Sequence, residues 1–259
     1  EEDRVLTGHE QTLRGGARLV AVSAVQFQTG VRMPIALMAA LCHRYGAEIA
    51  VDAIQACGVV PVDVAALDVD YLACGAHKWL LGSPGVGFLY AKAERARALE
   101  PRTAGWLSHE DATSFLFAGP GELRYDRPLR RDIGFVEGSS ASFLVETALE
   151  AALDPILELG VEAISDHVTR YADELERGLV ERGAKSVRSP RLERRSGILS
   201  VVPPAGVAAA ELARGLAERG VVASMPDGLL RFSPHFPNAL GEIPAVLDAF
   251  DEALSAIAR

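Results

Sequence analysis

The chain has 259 residues, 49% hydrophobic and 24% charged, an ordinary globular composition long enough to bury a sizeable core in one or two domains. Its 35 acidic residues against 26 basic ones give a formal net charge of -9, which argues against nucleic-acid binding. No apolar run approaches the roughly 20 residues of a membrane span, no signal-peptide pattern opens the chain, and three cysteines without a close pair make neither a disulfide framework nor a zinc site, so a reducing cytoplasm is the expected setting.

Glu1-Glu2-Asp3-Arg4 gives no domain-like signal. Residues 18–25 read as a buried strand. Residues 26–30 follow as a loop, whose Gln28 and Thr29 either serve turn chemistry or stand near a substrate. Residues 33–45 form a helix with Ile35, Leu37, Met38, Leu41 and Cys42 on its apolar face and Gly46 as its C-cap. Residues 48–51 and 70–74 are short buried strands, and 53–66 leaves room for only a short turn-helix between them. Strands alternating with helices imply a parallel sheet, and ligands bind beyond the carboxyl ends of such strands. Asp52 and Lys78 fall at that rim. They suit a Schiff-base lysine with an acidic partner, or, more plainly, a helix-capping aspartate beside an exposed lysine.

Residues 82–87 carry three glycines but lack the Gly-Lys-Ser/Thr ending of a nucleotide loop, so they are expected to turn the chain into a strand over 86–90. A short helix over 93–98 and an irregular stretch over 101–131 follow. Helices are predicted over 143–159, 161–181, 208–219 and 243–258, and strands over 198–202, 221–223 and 229–233. The later elements describe a small unit with helices packed on an antiparallel sheet.

The runs V-D-A-I-Q-A from Val51 and D-Y-L-A-C-G-A-H-K-W-L-L-G-S-P-G-V-G-F-L-Y from Asp70 to Tyr90 resemble the cofactor-binding core of the class V aminotransferases. These are fold-type I enzymes dependent on pyridoxal 5'-phosphate (PLP), a group that includes cysteine desulfurases, kynureninases and isopenicillin-N-epimerase-like enzymes. The resemblance implies an α/β fold-type I architecture: the C-terminal part of a large domain with a mostly parallel sheet over 1–140, and a small α+β domain over 141–259. It covers nearly all of this chain but roughly the C-terminal two thirds of a typical member. The part not matched normally carries a Ser/Thr-rich phosphate cup and a residue that stacks on the ring.

The same resemblance implies roles. Lys78 forms the Schiff base and acts as general base, Asp52 pairs with the pyridinium nitrogen, Gln55 donates to the phenolic oxygen and His77 lies beside the phosphate. Gly75 stands where desulfurases usually have serine. In residues 105–109, G-W-L-S-H, Trp106 matches a kynureninase tryptophan that enters the neighbouring subunit's site, with Ser108 in place of a glycine. Ser139, in place of a family threonine, reaches the phosphate across a dimer interface or caps the following helix. In residues 231–238, R-F-S-P-H-F-P-N, Arg231 matches the clamp on the substrate α-carboxylate, while Pro237 replaces a common tyrosine. Desulfurases carry their nucleophilic cysteine shortly before this arginine, and residues 223–228 contain none.

The expected activity is therefore a PLP-dependent transformation of an amino acid in a cytoplasmic homodimer with shared sites, foremost an aminotransferase. A PLP-dependent lyase or epimerase, or an inactive truncated scaffold or partner subunit, are the alternatives.

Overall fold

The computed structural model describes residues 2–124 and 126–258, with side chains from residue 5 onward. Helix α1 (Glu2–Arg14) precedes strand β1 (Leu19–Ser23), helix α2 (Ile35–Arg44), strand β2 (Glu48–Asp52), the single-turn α3 (Val64–Leu67) and strand β3 (Tyr71–Gly75). These three strands pair in parallel in the order β1-β2-β3, and β4 (Gly87–Ala91) returns antiparallel against β3. The register sets Ser23 beside Asp52 and Asp52 beside Ala73, so three carboxyl ends meet on one edge.

Side chains alternate across this sheet. Val22, Val51, Leu72 and Cys74 point to the face covered by α2, where Ile35, Met38, Ala39 and Cys42 are buried. Ala21, Ser23, Ala50, Asp52, Ala73 and Leu89 share the opposite face, which lies open along a depression of about 390 Å3. Gly46 takes a left-handed φ of 72° where α2 gives way to β2, as its C-cap role requires.

Asp70, fully buried beside β3, anchors this layer. Its carboxylate accepts from the Ile49 amide (2.8 Å), His43 Nε2 (3.0 Å) and Arg95 Nε (2.9 Å). Arg95 lies on the short helix α4 (Ala93–Ala98). Burial alone would raise the carboxyl, but the bonds from Arg95, Ile49 and His43 outweigh it and hold Asp70 below the usual carboxylate range.

Helices α5 (Phe143–Leu159) and α6 (Val161–Glu181) follow. The first core cluster takes in Ile156, Ile164 and Val168, while Tyr171, Leu175 and Leu179 farther along α6 enter a second cluster. That second core lies over β5 (Lys185–Ser186), β6 (Leu199–Val202) and β7 (Leu230–Phe232), an antiparallel sheet packed by α7 (Ala209–Ala217) and α8 (Ile243–Ile257). The strand expected over 221–223 is not formed. The single bridge nearby, Ser224 with Arg231, lies just past it, and Pro226 and a left-handed Asp227 (φ 50°) then turn the chain away.

Two substitutions test this packing. Asp70→Asn should cost about 2 kcal/mol at neutral pH, measured by urea unfolding. A depressed native carboxyl contributes stability above its unfolded value of about 3.9 and loses it as pH falls through the lower native value. The gap between wild type and variant should therefore hold from pH 7 to about 5 and shrink in more acid solution; a gap that widened there would contradict the assignment. Gly58 has a φ of 95°, and a Cβ added there would lie only 2.5 Å from the Trp79 carbonyl oxygen. Gly58→Ala should cost about 2–3 kcal/mol, clearly more than Gly46→Ala, whose methyl meets nothing.

Candidate functional site

Asp52 closes β2 on the open face of the sheet. Its Oδ1 accepts from the Ile54 amide (2.9 Å), which turns the chain at the strand end and leaves the other carboxylate oxygen outward. A depression of about 560 Å3 begins at Asp52 and is walled by Gly75, Gly87, Phe88, Ile133 and Glu137. Ala73, level with Asp52, and Gly75, level with Gly87, present almost no side chain, so a flat group can lie close over the strands here. A Cβ on Gly75 would come within 3.2 Å of both the His77 ring and Ile54.

Residues 76–82 form the turn that carries Lys78. It is closed by the amide of Leu81 donating to Lys78 O (3.0 Å) and that of Gly82 donating to Ala76 O (2.9 Å). Leu81 is left-handed, with a φ of 56°, an unfavourable conformation for a branched residue. His77 and Lys78 are exposed, while Trp79 beside them is 6% exposed. The Trp79 indole donates to Gln55 Oε1 at 2.9 Å. An indole N–H can only donate, so the carbonyl end of the buried Gln55 faces Trp79 and its NH2 is left for another acceptor. The charges of Asp52 and Lys78 both act on the buried Cys74 thiol. A hydrogen bond with Cys57, burial and Asp52 push that thiol up, while Lys78 pulls it down.

Arg231 lies on β7 and reaches the loop after β1, where its Nη1 donates to Phe27 O at 2.8 Å. Its Nε is buried without a partner, and burial lowers the guanidinium from its ordinary value. Among the described residues no carboxylate pairs with it. Next to Phe27, Gln28 Nε2 donates to Asp227 (2.9 Å) while its Oε1 is buried and unpaired. Ser200 and Ser196 grip the same loop through the carbonyls of Gln28 and Gly30.

Asp52 thus ends β2, Lys78 lies on the turn that follows β3 and is tied through Trp79 to Gln55, and Arg231 touches the loop that follows β1. Trp106 and Ser139 lie on two adjoining segments, the second just past Glu137 in the wall of the Asp52 depression. Trp106 opens a 3-10 turn and meets Phe115 edge-on at 6.3 Å, and Ser139 is exposed and makes no side-chain hydrogen bond among the described residues. The two segments touch at Gly105 and Gly138, where a Cβ on Gly105 would overlap the Gly138 carbonyl oxygen. Ser108, in place of the family glycine, is buried and accepts from the Gly105 amide (3.0 Å). The cap of α5 is Ser142 and not Ser139. Trp79 and His235, which support the Lys78 turn, escape a reading of the sequence alone; the available signal was a large polar-tipped ring directly after the lysine.

The family model described as Aminotransferase class-V matches residues 3–228. An uncharacterized aminotransferase, YcbU, of Bacillus subtilis (strain 168) is 32% identical over 89% of this chain and 58% of its own length. Isopenicillin N epimerase of Streptomyces clavuligerus is 32% identical over 90% of this chain and 60% of its own length. This chain therefore spans about three fifths of the curated relatives it matches. The apo structure of a cysteine desulfurase from Thermococcus onnurineus NA1 superposes with a TM-score of 0.84 at 23% identity, over 97% of this chain and 63% of that one. A variant of the lyase C-DES with glycine covalently linked to its PLP cofactor gives 0.84 at 22% identity, over 95% of this chain and 63% of that one. On the family match, with the shared fold behind it, the chain belongs to the class V aminotransferases.

Proposed function

We propose that this chain is the greater part of a PLP-dependent enzyme acting at the α-carbon of an amino acid, most simply an aminotransferase. The observation that carries the reading is Asp52 on the open strand face, with Lys78 exposed on the turn that Trp79 ties to Gln55 and the Arg231 Nε buried without a partner. These residues fit the cofactor: a carboxylate on an open, side-chain-poor strand face, an uncommitted amide donor, and an amine on a tight turn. PLP, when bound, supplies an electron sink for charge developing at the substrate Cα.

Around it each residue has a defined task. Lys78 Nζ holds the cofactor at rest and, once released, takes the proton from the substrate Cα. Asp52 keeps a proton on the ring nitrogen, and Gln55 donates to the phenolic oxygen. His77, exposed at the head of the same turn, would hold the phosphate. Arg231 grips the substrate carboxylate in two parallel bonds, which fixes the Cα relative to the ring. Its buried Nε is the donor left for that ligand. Ser139 and Trp106 act from the second copy of a homodimer, Ser139 on the phosphate and Trp106 at the substrate. The apolar surface around them supports this placement: Phe117, Phe143 and Leu144 are 88%, 81% and 83% exposed in one copy. Three free thiols suit a reducing cytoplasm. Among the described residues no helix is long and apolar enough to cross a membrane.

A second reading, epimerisation, is favoured by the 32% identity to isopenicillin N epimerase. Transamination and epimerisation share the proton abstraction and differ in where the proton returns. Desulfuration is disfavoured, since residues 223–228 offer no thiol and Cys42, Cys57 and Cys74 lie elsewhere.

The test is PLP uptake by the purified chain, followed by a panel of amino-acid donors with a 2-oxo acid acceptor. A new 2-oxo acid supports transamination; an inverted amino acid without one supports epimerisation. Lys78→Ala should abolish the visible band of the lysine-held cofactor, and an unchanged band would remove Lys78 from this role. Arg231→Lys should keep the band but raise KM for the amino acid by about ten- to a hundred-fold. An unchanged KM would contradict the carboxylate assignment.

A further inference from the structure

His235 is 8% exposed, on the loop that follows β7. Its Nε2 lies 2.7 Å from Trp79 O. A carbonyl only accepts, so Nε2 carries the proton and Nδ1 is left with a lone pair. Nδ1 is buried with no partner. Edge-on contacts with Trp79 (5.3 Å) and Phe236 (4.8 Å) fill the space around the ring. An apolar side chain of similar size would spare the unpaired Nδ1, which ordinarily carries a stability cost, but would take this donor away from the Trp79 carbonyl. The imidazole therefore needs a reason, and its single hydrogen bond supplies one.

That bond ends on the turn carrying Lys78. Trp79 follows Lys78 directly, its carbonyl accepts from His235, and its indole donates to Gln55. The turn includes the left-handed Leu81, a conformation that persists only where its surroundings hold it. The His235 loop is itself fixed: its backbone amide donates to Asn238 Oδ1 (2.9 Å), Asn238 Nδ2 donates to Glu242 (2.8 Å), and Asn238 O accepts from His167 (2.8 Å). Arg231 lies four residues upstream on β7. Burial also lowers the His235 imidazole from its ordinary value, against an opposing pull from its bond to the Trp79 carbonyl.

We infer that His235 is a positioning residue: through Trp79 it sets the Lys78 turn and aims the Gln55 amide, tying both to the loop that carries the carboxylate clamp. The part concerning cofactor rests on the function proposed above; the link His235–Trp79–Gln55 does not.

The experiment has a cofactor-free arm and a loaded arm, on the full chain. The chain has two tryptophans, so solvent exchange of the Trp79 indole N–H can be followed by NMR, with Trp79→Phe giving the assignment. His235→Leu should speed that exchange about ten-fold, and His235→Gln, which places an amide donor near Nε2, should restore it. Should His235→Leu fail to fold, His235→Asn, too short to reach Trp79 O, takes its place with the same expectation. In the loaded arm, titration with PLP should show about five- to ten-fold weaker uptake for His235→Leu and near wild-type uptake for His235→Gln. Unchanged exchange in His235→Leu overturns the inference. Faster exchange with unchanged PLP uptake overturns its cofactor part and leaves the proposed function standing. A wild-type chain that takes up no PLP defeats the proposed function, and the exchange arm then decides the local link alone.

Discussion

Parallel pairing of three short strands is the constraint from which the rest of the site descends. Because β1, β2 and β3 run the same way, their carboxyl ends share an edge, and the turns leaving them must compete for the same space. The register puts Asp52 between Ser23 and Ala73, and the alternation of the strand places it on the open face. A slip of one residue would send the carboxylate into the packed face between Val22 and Leu72, where an unpaired charge is prohibitive.

The smaller sheet contributes through one loop. Residues 26–32 are held by Arg231 at the Phe27 carbonyl, by Ser200 and Ser196 at the carbonyls of Gln28 and Gly30, and by Arg194 at Arg32 O. Gly30 is itself indispensable there, since a Cβ would sit 2.6 Å from the Ile198 carbonyl oxygen. These bonds tie the loop after β1 to β6, β7 and the residues just before β6. The Arg231 guanidinium is oriented by the backbone carbonyl it touches.

Much of this was legible from residue pattern. Helix α5 follows its apolar period from Phe143 to Leu159, and α6 its own from Val161 to Glu181, and both form over those spans. Asp52, Gln55, Lys78 and Arg231 stood out as candidates because they sat within runs resembling a family. What escaped has physical reasons. Helix α1 has only Val5, Leu6 and Leu13 as large apolar positions, too thin a stripe to announce a helix. Strand β5 is two residues long, Lys185 and Ser186, shorter than any period can register. Residues 221–223 have the β-branched composition of a strand, but Val222 stays 88% exposed and the turn at Asp227 prevents further pairing. The link from His235 to Trp79 spans 156 residues and belongs to tertiary structure alone.

The central claim is that one of three lysines, Lys78, holds the cofactor by its amine. Borohydride reduction of the PLP-loaded chain followed by peptide mass mapping tests it directly. The label should be found on the peptide containing Lys78. A label on Lys92, which is engaged with Asp68, or on Lys185 in β5, would contradict the account, as would a loaded chain with no labelled lysine.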